Sequence, residues 1–121
     1  MKLYCKKCNY LLVERLKKAQ NKEVIDVDEY DLIPIGKYII ISDIWNFGIL
    51  EIIYLINANS IDLNDHYKHT KMQGCCGPSG ADGLNQLCPK CSQEIGVSVA
   101  DCYTPCFIGI DKNKVSELPV W

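Results

Sequence analysis

The longest apolar block of the chain runs from Lys37 to Ile56, and shorter apolar runs flank it on both sides. Lys37-Tyr38-Ile39-Ile40-Ile41-Ser42 is rich in β-branched and aromatic side chains and predicts a buried strand. Ile49–Ile56 predicts a second strand or a short buried helix, its near-continuous apolar character pointing to burial on both faces. Asp43–Gly48 is the connection, with Trp45 and Phe47 expected to fold back as a lid on the core. Further along, Glu94–Val99 alternates as a half-buried strand does, and Phe107–Ile110 follows as another after the Thr104-Pro105 break. Leu11–Lys18 fits either period, and a strand is expected there. Gln20-Asn21-Lys22, Pro34-Ile35-Gly36 and Asp111–Lys114 read as turns. Ser60 is placed to cap a short helix through Ile61–His66. If helical, that segment brings His66 and His69, three residues apart, onto one face as candidate metal ligands. With Tyr67, Lys68 and Lys71 beside them, a solvated polar segment is the expected reading.

Length and charge narrow the class. A chain of 121 residues is expected to be one domain, with a core small enough to gain from a staple. The net charge of −2 supplies no general field toward nucleic acid or an anionic membrane. Tyr38–Ile56 approaches a spanning length, but Asp43, Asn46, Glu51 and Gly48 interrupt it, so two strands and no membrane segment are expected. Met1–Cys8 has neither an apolar run nor a small-residue cleavage site, which argues against a secretory signal and for a cytoplasmic protein with reduced thiols. One local departure from charge balance is acidic: Glu23, Asp26, Asp28, Glu29 and Asp31 fall within nine residues. A solvated face is the ordinary explanation; an acidic lip for a basic partner is the functional one.

Cysteine usage changes the picture most. Eight cysteines are present, two of them in Cys5-Lys6-Lys7-Cys8 and six between Gly74 and Cys106. Cys88-Pro89-Lys90-Cys91 repeats the first spacing. A C-x-x-C turn can place two sulfurs on one ion, and zinc takes four thiolates in a tetrahedron. Cys5, Cys8, Cys88 and Cys91 are therefore the expected metal ligands, holding Zn2+ and joining the ends of the chain. Asn9, after the second cysteine of the first pair, suits the left-handed backbone that often follows such a turn. Cys75, Cys76, Cys102 and Cys106 are candidates for further ligands, in a second site or in place of one member of the late pair; Cys102 and Cys106 also read as small buried apolar residues. The 79 residues between Cys8 and Cys88 exceed what a compact zinc ribbon carries. The expected fold is α+β, mostly β: a zinc-ribbon-like part from 1–20 and 74–110, with 21–73 inserted as a small β-rich subdomain.

At Gly74-Cys75-Cys76-Gly77, Gly80, Gly83, Asn85, Cys88 and Asp101-Cys102, with the N-terminal C-x-x-C, the chain resembles small uncharacterised bacterial proteins. Tyr103 stands where that pattern has tryptophan. The resemblance covers about 35 residues plus the first C-x-x-C pair; it implies a metal-binding scaffold and carries no activity.

No phosphate-cradling loop, zinc-protease His-Glu signature or nucleophile elbow is present. Neither C-x-x-C pair has the strand and helix N-terminus of a thioredoxin-like dithiol. The sequence therefore predicts a non-enzymatic, zinc-binding protein-interaction module. One concrete form is an immunity- or antitoxin-like protein whose 23–31 segment covers a basic toxin. The alternatives are a nucleic-acid-binding ribbon using Lys6, Lys7, Lys17, Lys18 and Lys90, and a thiol- or metal-dependent enzyme.

Overall fold

The structure, a computed structural model, describes residues 1–40, 52–74, 77–80, 83–101 and 104–118. Among these the fold is mostly β and contains no α-helix. The strands are β1 (Leu3–Cys5), β2 (Leu11–Val13), β3 (Lys17–Lys18), β4 (Lys37–Ile40), β5 (Ile52–Ile56), β6 (Asn64–Asp65), β7 (Gln86–Leu87), β8 (Glu94–Val99), β9 (Phe107–Asp111) and β10 (Val115–Ser116). They form a three-stranded sheet in the order β10-β1-β2 and a seven-stranded sheet in the order β3-β4-β5-β9-β8-β7-β6. All pairings are antiparallel except the parallel contact of β3 with β4.

The α part of the expected α+β class is thus corrected: no full helix is present among the described residues, and helical geometry is confined to 3-10 turns at Asn21–Glu23, Ala58–Ser60 and His69–Met72. The helix expected after Ser60 is absent for a visible reason. Asn57, fully buried, accepts the amide N–H of Asn59 and donates to the Ile33 carbonyl, so it caps the Ala58–Ser60 turn and Ser60 ends it. The Ser60 hydroxyl instead accepts the Gly36 amide at 2.8 Å. Asn64–Asp65, inside the expected helix, is β6 and pairs with β7.

The expected strands at 94–99 and 107–110 form as β8 and β9, and 52–56 of the second apolar run is a strand. Residues 41–51, with the Trp45 and Phe47 connection, lie outside the described residues. β9 is buried along its whole length, flanked by β5 and β8. Ile56, Ile108 and Ile110 join one apolar cluster with Leu3, Leu12, Val13 and Leu16 from the smaller sheet and its flank. Leu55, Val97, Val99 and Phe107 join a second with Leu32, Ile33 and Ile39. A sheet with apolar clusters on both faces explains the continuous apolar runs, because neither face of its central strands meets water. The strands within 21–73, expected as an inserted subdomain, are part of this sheet: β5 pairs with both β4 and β9.

Inside the larger sheet, Asn85 is fully buried. It donates to the carbonyls of Ser98 and Lys71 and accepts the Ser98 amide at 2.6 Å, supplying partners to a backbone that would otherwise lack them.

A candidate four-thiol metal centre

Both C-x-x-C pairs are the tips of β-hairpins. Cys5 ends β1 and the chain returns as β2; Cys88 follows β7 and the chain returns as β8. The two tips share one backbone plan. In the first, the Asn9 amide donates to the Cys5 carbonyl at 2.8 Å and the Cys5 amide to the Tyr10 carbonyl at 2.9 Å. In the second, the Ser92 amide donates to the Cys88 carbonyl and the Cys88 amide to the Gln93 carbonyl, both at 2.9 Å. The residue after the second cysteine has φ of 62° in each case, Asn9 and Ser92. Only a left-handed residue turns the chain back at that point, and Asn adopts that region more readily than most side chains.

These turns bring four sulfurs together. The Sγ atoms of Cys5, Cys8, Cys88 and Cys91 all lie within 4.8 Å of one another. Cys5 Sγ is 3.5 Å from Cys91 Sγ, and Cys8 Sγ is 3.6 Å from Cys88 Sγ. A tetrahedral zinc with bonds of about 2.3 Å needs sulfurs about 3.8 Å apart. The donor set therefore fits a tetrathiolate ion in number, chemistry and spacing. Cys5 and Cys88 are buried in the apolar cluster between the sheets, with Cys8 and Cys91 packed at its margin.

The surroundings prepare the sulfurs unequally. Burial pushes the Cys5 thiol up to about 12, against the opposing pull of the Cys8 and Lys7 amides that donate to its sulfur. Burial likewise raises Cys88, whose sulfur accepts from the Cys91 and Lys90 amides, the same positions of the second turn. At Cys8 burial again pushes upward, but hydrogen bonds from the Tyr10 amide and the neighbouring thiols outweigh it and leave the thiol below its ordinary value. Amides aimed at sulfur are the outer-shell contacts that hold a thiolate site together. Two further ties lock the tips. The Lys114 carbonyl accepts the Lys6 amide from the first and the Gln93 side chain from the second, at 3.0 and 3.4 Å. The Tyr10 hydroxyl donates to Asp62 at 2.5 Å, anchoring the first tip to the segment before β6.

Cys75, Cys76 and Cys102 fall outside the described residues. Cys106 precedes β9 and forms an isolated bridge with Asp31; burial and then the Asp31 and Glu29 carboxylates raise its thiol. Among the described residues no second group of three or more metal-binding side chains converges. His66 is not solvated, contrary to expectation: it is 8% exposed, stacked on Tyr67 at 4.5 Å. Its Nδ1 accepts the Lys68 amide at 3.0 Å and Nε2 faces Glu94 at 3.8 Å. The pairing of β6 with β7 draws it inward, a long-range effect that its polar neighbours conceal. The sequence pattern also misses the shared Lys114 tie, which depends on the β9–β10 turn passing both tips.

Among the described residues no helix is long and apolar enough to cross a membrane. No protein-family model matches the chain, and comparisons with curated proteins and with solved structures find no match.

Proposed function

We propose that the chain is a non-enzymatic protein-interaction module whose shape is fixed by a single zinc ion on Cys5, Cys8, Cys88 and Cys91. The observation that carries this reading is the convergence of four sulfurs from two hairpin tips at tetrahedral spacing. Four thiolates fill the coordination sphere, whereas a catalytic zinc keeps a position open for water or substrate. The site also lies against the core cluster that joins the two sheets, where an ion does structural work. Elemental analysis of the purified protein is expected to give one zinc per chain, and a strong chelator is expected to abolish the β-sheet circular dichroism. A metal-free chain that keeps its fold overturns the proposal.

A second reading has its own observation. Lys6, Lys7 and Lys90 are exposed on the two tips, and Lys112 on the adjoining turn, a local basic crown compatible with phosphate contacts. Binding of a DNA or RNA oligonucleotide that weakens steeply with salt and with Lys7→Ala or Lys90→Ala supports it.

A further inference from the structure

Opposite the metal centre along β9, the chain carries a second feature. Residues 25–32 form a small hairpin closed by the Ile25 amide on the Leu32 carbonyl (2.9 Å) and the Tyr30 amide on the Val27 carbonyl (3.2 Å). It is fastened to the segment leading into β9: the Glu29 amide donates to the Thr104 carbonyl, the Cys106 amide to Tyr30, and the Leu32 amide to Cys106, at 2.7–2.9 Å. Leu32 and Ile33 then plunge into the core with no exposed surface. The hairpin itself does the reverse. Ile25, Val27 and Tyr30 are 51, 48 and 66% exposed. Three large apolar side chains stand in water within six residues, on backbone held by five hydrogen bonds, and exposed apolar surface rimmed by polar residues is a mark of interaction sites. Asp26, Asp28, Glu29 and Asp31 are interleaved with them, all exposed, and none is ion-paired among the described residues.

We infer that the 25–31 hairpin is a preformed docking element for a protein partner with a lysine- or arginine-rich surface around an apolar depression, Tyr30 being its anchor. The inference rests on the interaction-module reading and names its surface and its partner's chemistry. Four uncompensated carboxylates select for positive charge and repel nucleic acid and anionic membrane. Tyrosine supplies large contact area at small entropic cost and is enriched among residues that dominate binding energy. A backbone already tied down loses little further freedom on association.

The test uses the metal-loaded full chain and two synthetic probes of equal charge, an amphipathic lysine/leucine 14-mer and a lysine/serine 14-mer, followed by amide NMR. The lysine/leucine peptide is expected to perturb the amides of residues 25–31. Its affinity is expected to fall about fivefold or more in Tyr30→Ala and to be kept within about twofold in Tyr30→Phe. The lysine/serine peptide is expected to bind at least about tenfold more weakly. Equal binding of the two peptides, perturbation centred elsewhere, an unaffected Tyr30→Ala, or preferential binding of an RNA oligonucleotide at these amides overturns the inference. Concentration-dependent self-association through the same amides, without peptide, also overturns it in favour of a second copy of the chain. Metal content and melting temperature measured on the same samples separate the two proposals: loss of peptide binding with zinc and stability intact removes the docking element and leaves the zinc scaffold standing. A metal-free chain whose hairpin still binds the peptide does the opposite.

Discussion

Cys106 and Ser92 show how much a single position owes to its surroundings. Cys106 is half-buried and flanked by the Asp31 and Glu29 carboxylates, and its thiol is raised by burial first and by those charges second. A raised thiol is mostly protonated near neutrality and is a poor nucleophile. Peptide-resolved alkylation at pH 8 is expected to label Cys106 slowly, and the Glu29→Gln/Asp31→Asn double variant about threefold faster, since removing negative charge lowers the thiol's pKa. Ser92 has the opposite kind of constraint, a left-handed backbone with φ of 62°. Ser92→Gly is expected to be neutral or slightly stabilising, whereas Ser92→Val costs about 1–2 kcal/mol because a β-branched side chain clashes in that region; denaturant midpoints of the zinc-loaded variants measure both. The C-x-x-C spacing alone points to the thiols around Ser92, because two sulfurs three residues apart are a local property of the chain. Nothing local points to the burial of His66, because besides the stacked Tyr67 its neighbours include β7 and Glu94, about twenty or more residues further along the chain.

At the level of elements, β8 and β9 are readable because their alternation and β-branched content are properties of the segment itself, whereas β1 and β7, three and two residues long, carry no such signal. The partners of β8 and β9 are not readable. β9 gains its place between β5 and β8 from residues separated from it by up to half the chain, and the continuous burial of Phe107–Asp111 follows from that position. The Ser60 cap fails because Ser60 ends the turn that Asn57 caps, and its hydroxyl is taken by the Gly36 amide. Close approach of β8 and β9 gives a sharp expectation. A side-chain carbon added at Gly96 would collide with the Gly109 carbonyl oxygen, a backbone atom that cannot turn aside. Gly96→Ala should therefore push the central pair apart and cost about 1–3 kcal/mol, read as a fall in urea midpoint without loss of bound zinc.

For the whole molecule, the two sheets meet through one apolar cluster that includes the four candidate metal-binding thiols, so an ion held there would make metal occupancy and global stability one equilibrium. An ion in such a site contributes about 10–16 kcal/mol of apparent binding free energy, more than the net stability of most small domains. The pH dependence follows from Cys5 and Cys88, both raised by burial. In the metal-free chain the folded state holds these protons more tightly than the unfolded state does. The stability that these two thiols contribute is fully present below the ordinary thiol value and is lost as pH rises toward about 12, the Cys5 value, while the lowered Cys8 thiol works in the opposite direction. The zinc-loaded chain behaves inversely: acid returns protons to the sulfurs and releases the ion. Melting temperature of the zinc-loaded chain is expected to rise with pH from about 5 to about 7, and a melting temperature indifferent to pH over that range would deny the thiols their role.

The distance in sequence between the two hairpin tips has a consequence for synthesis. When Cys5 and Cys8 leave the ribosome, the other two cysteines of the four-thiol cluster have not followed, and 79 residues separate Cys8 from Cys88. At about 5–20 residues per second this is a wait of roughly 4–16 s. During that interval the nascent chain offers a bare dithiol to any oxidant or competing metal it meets.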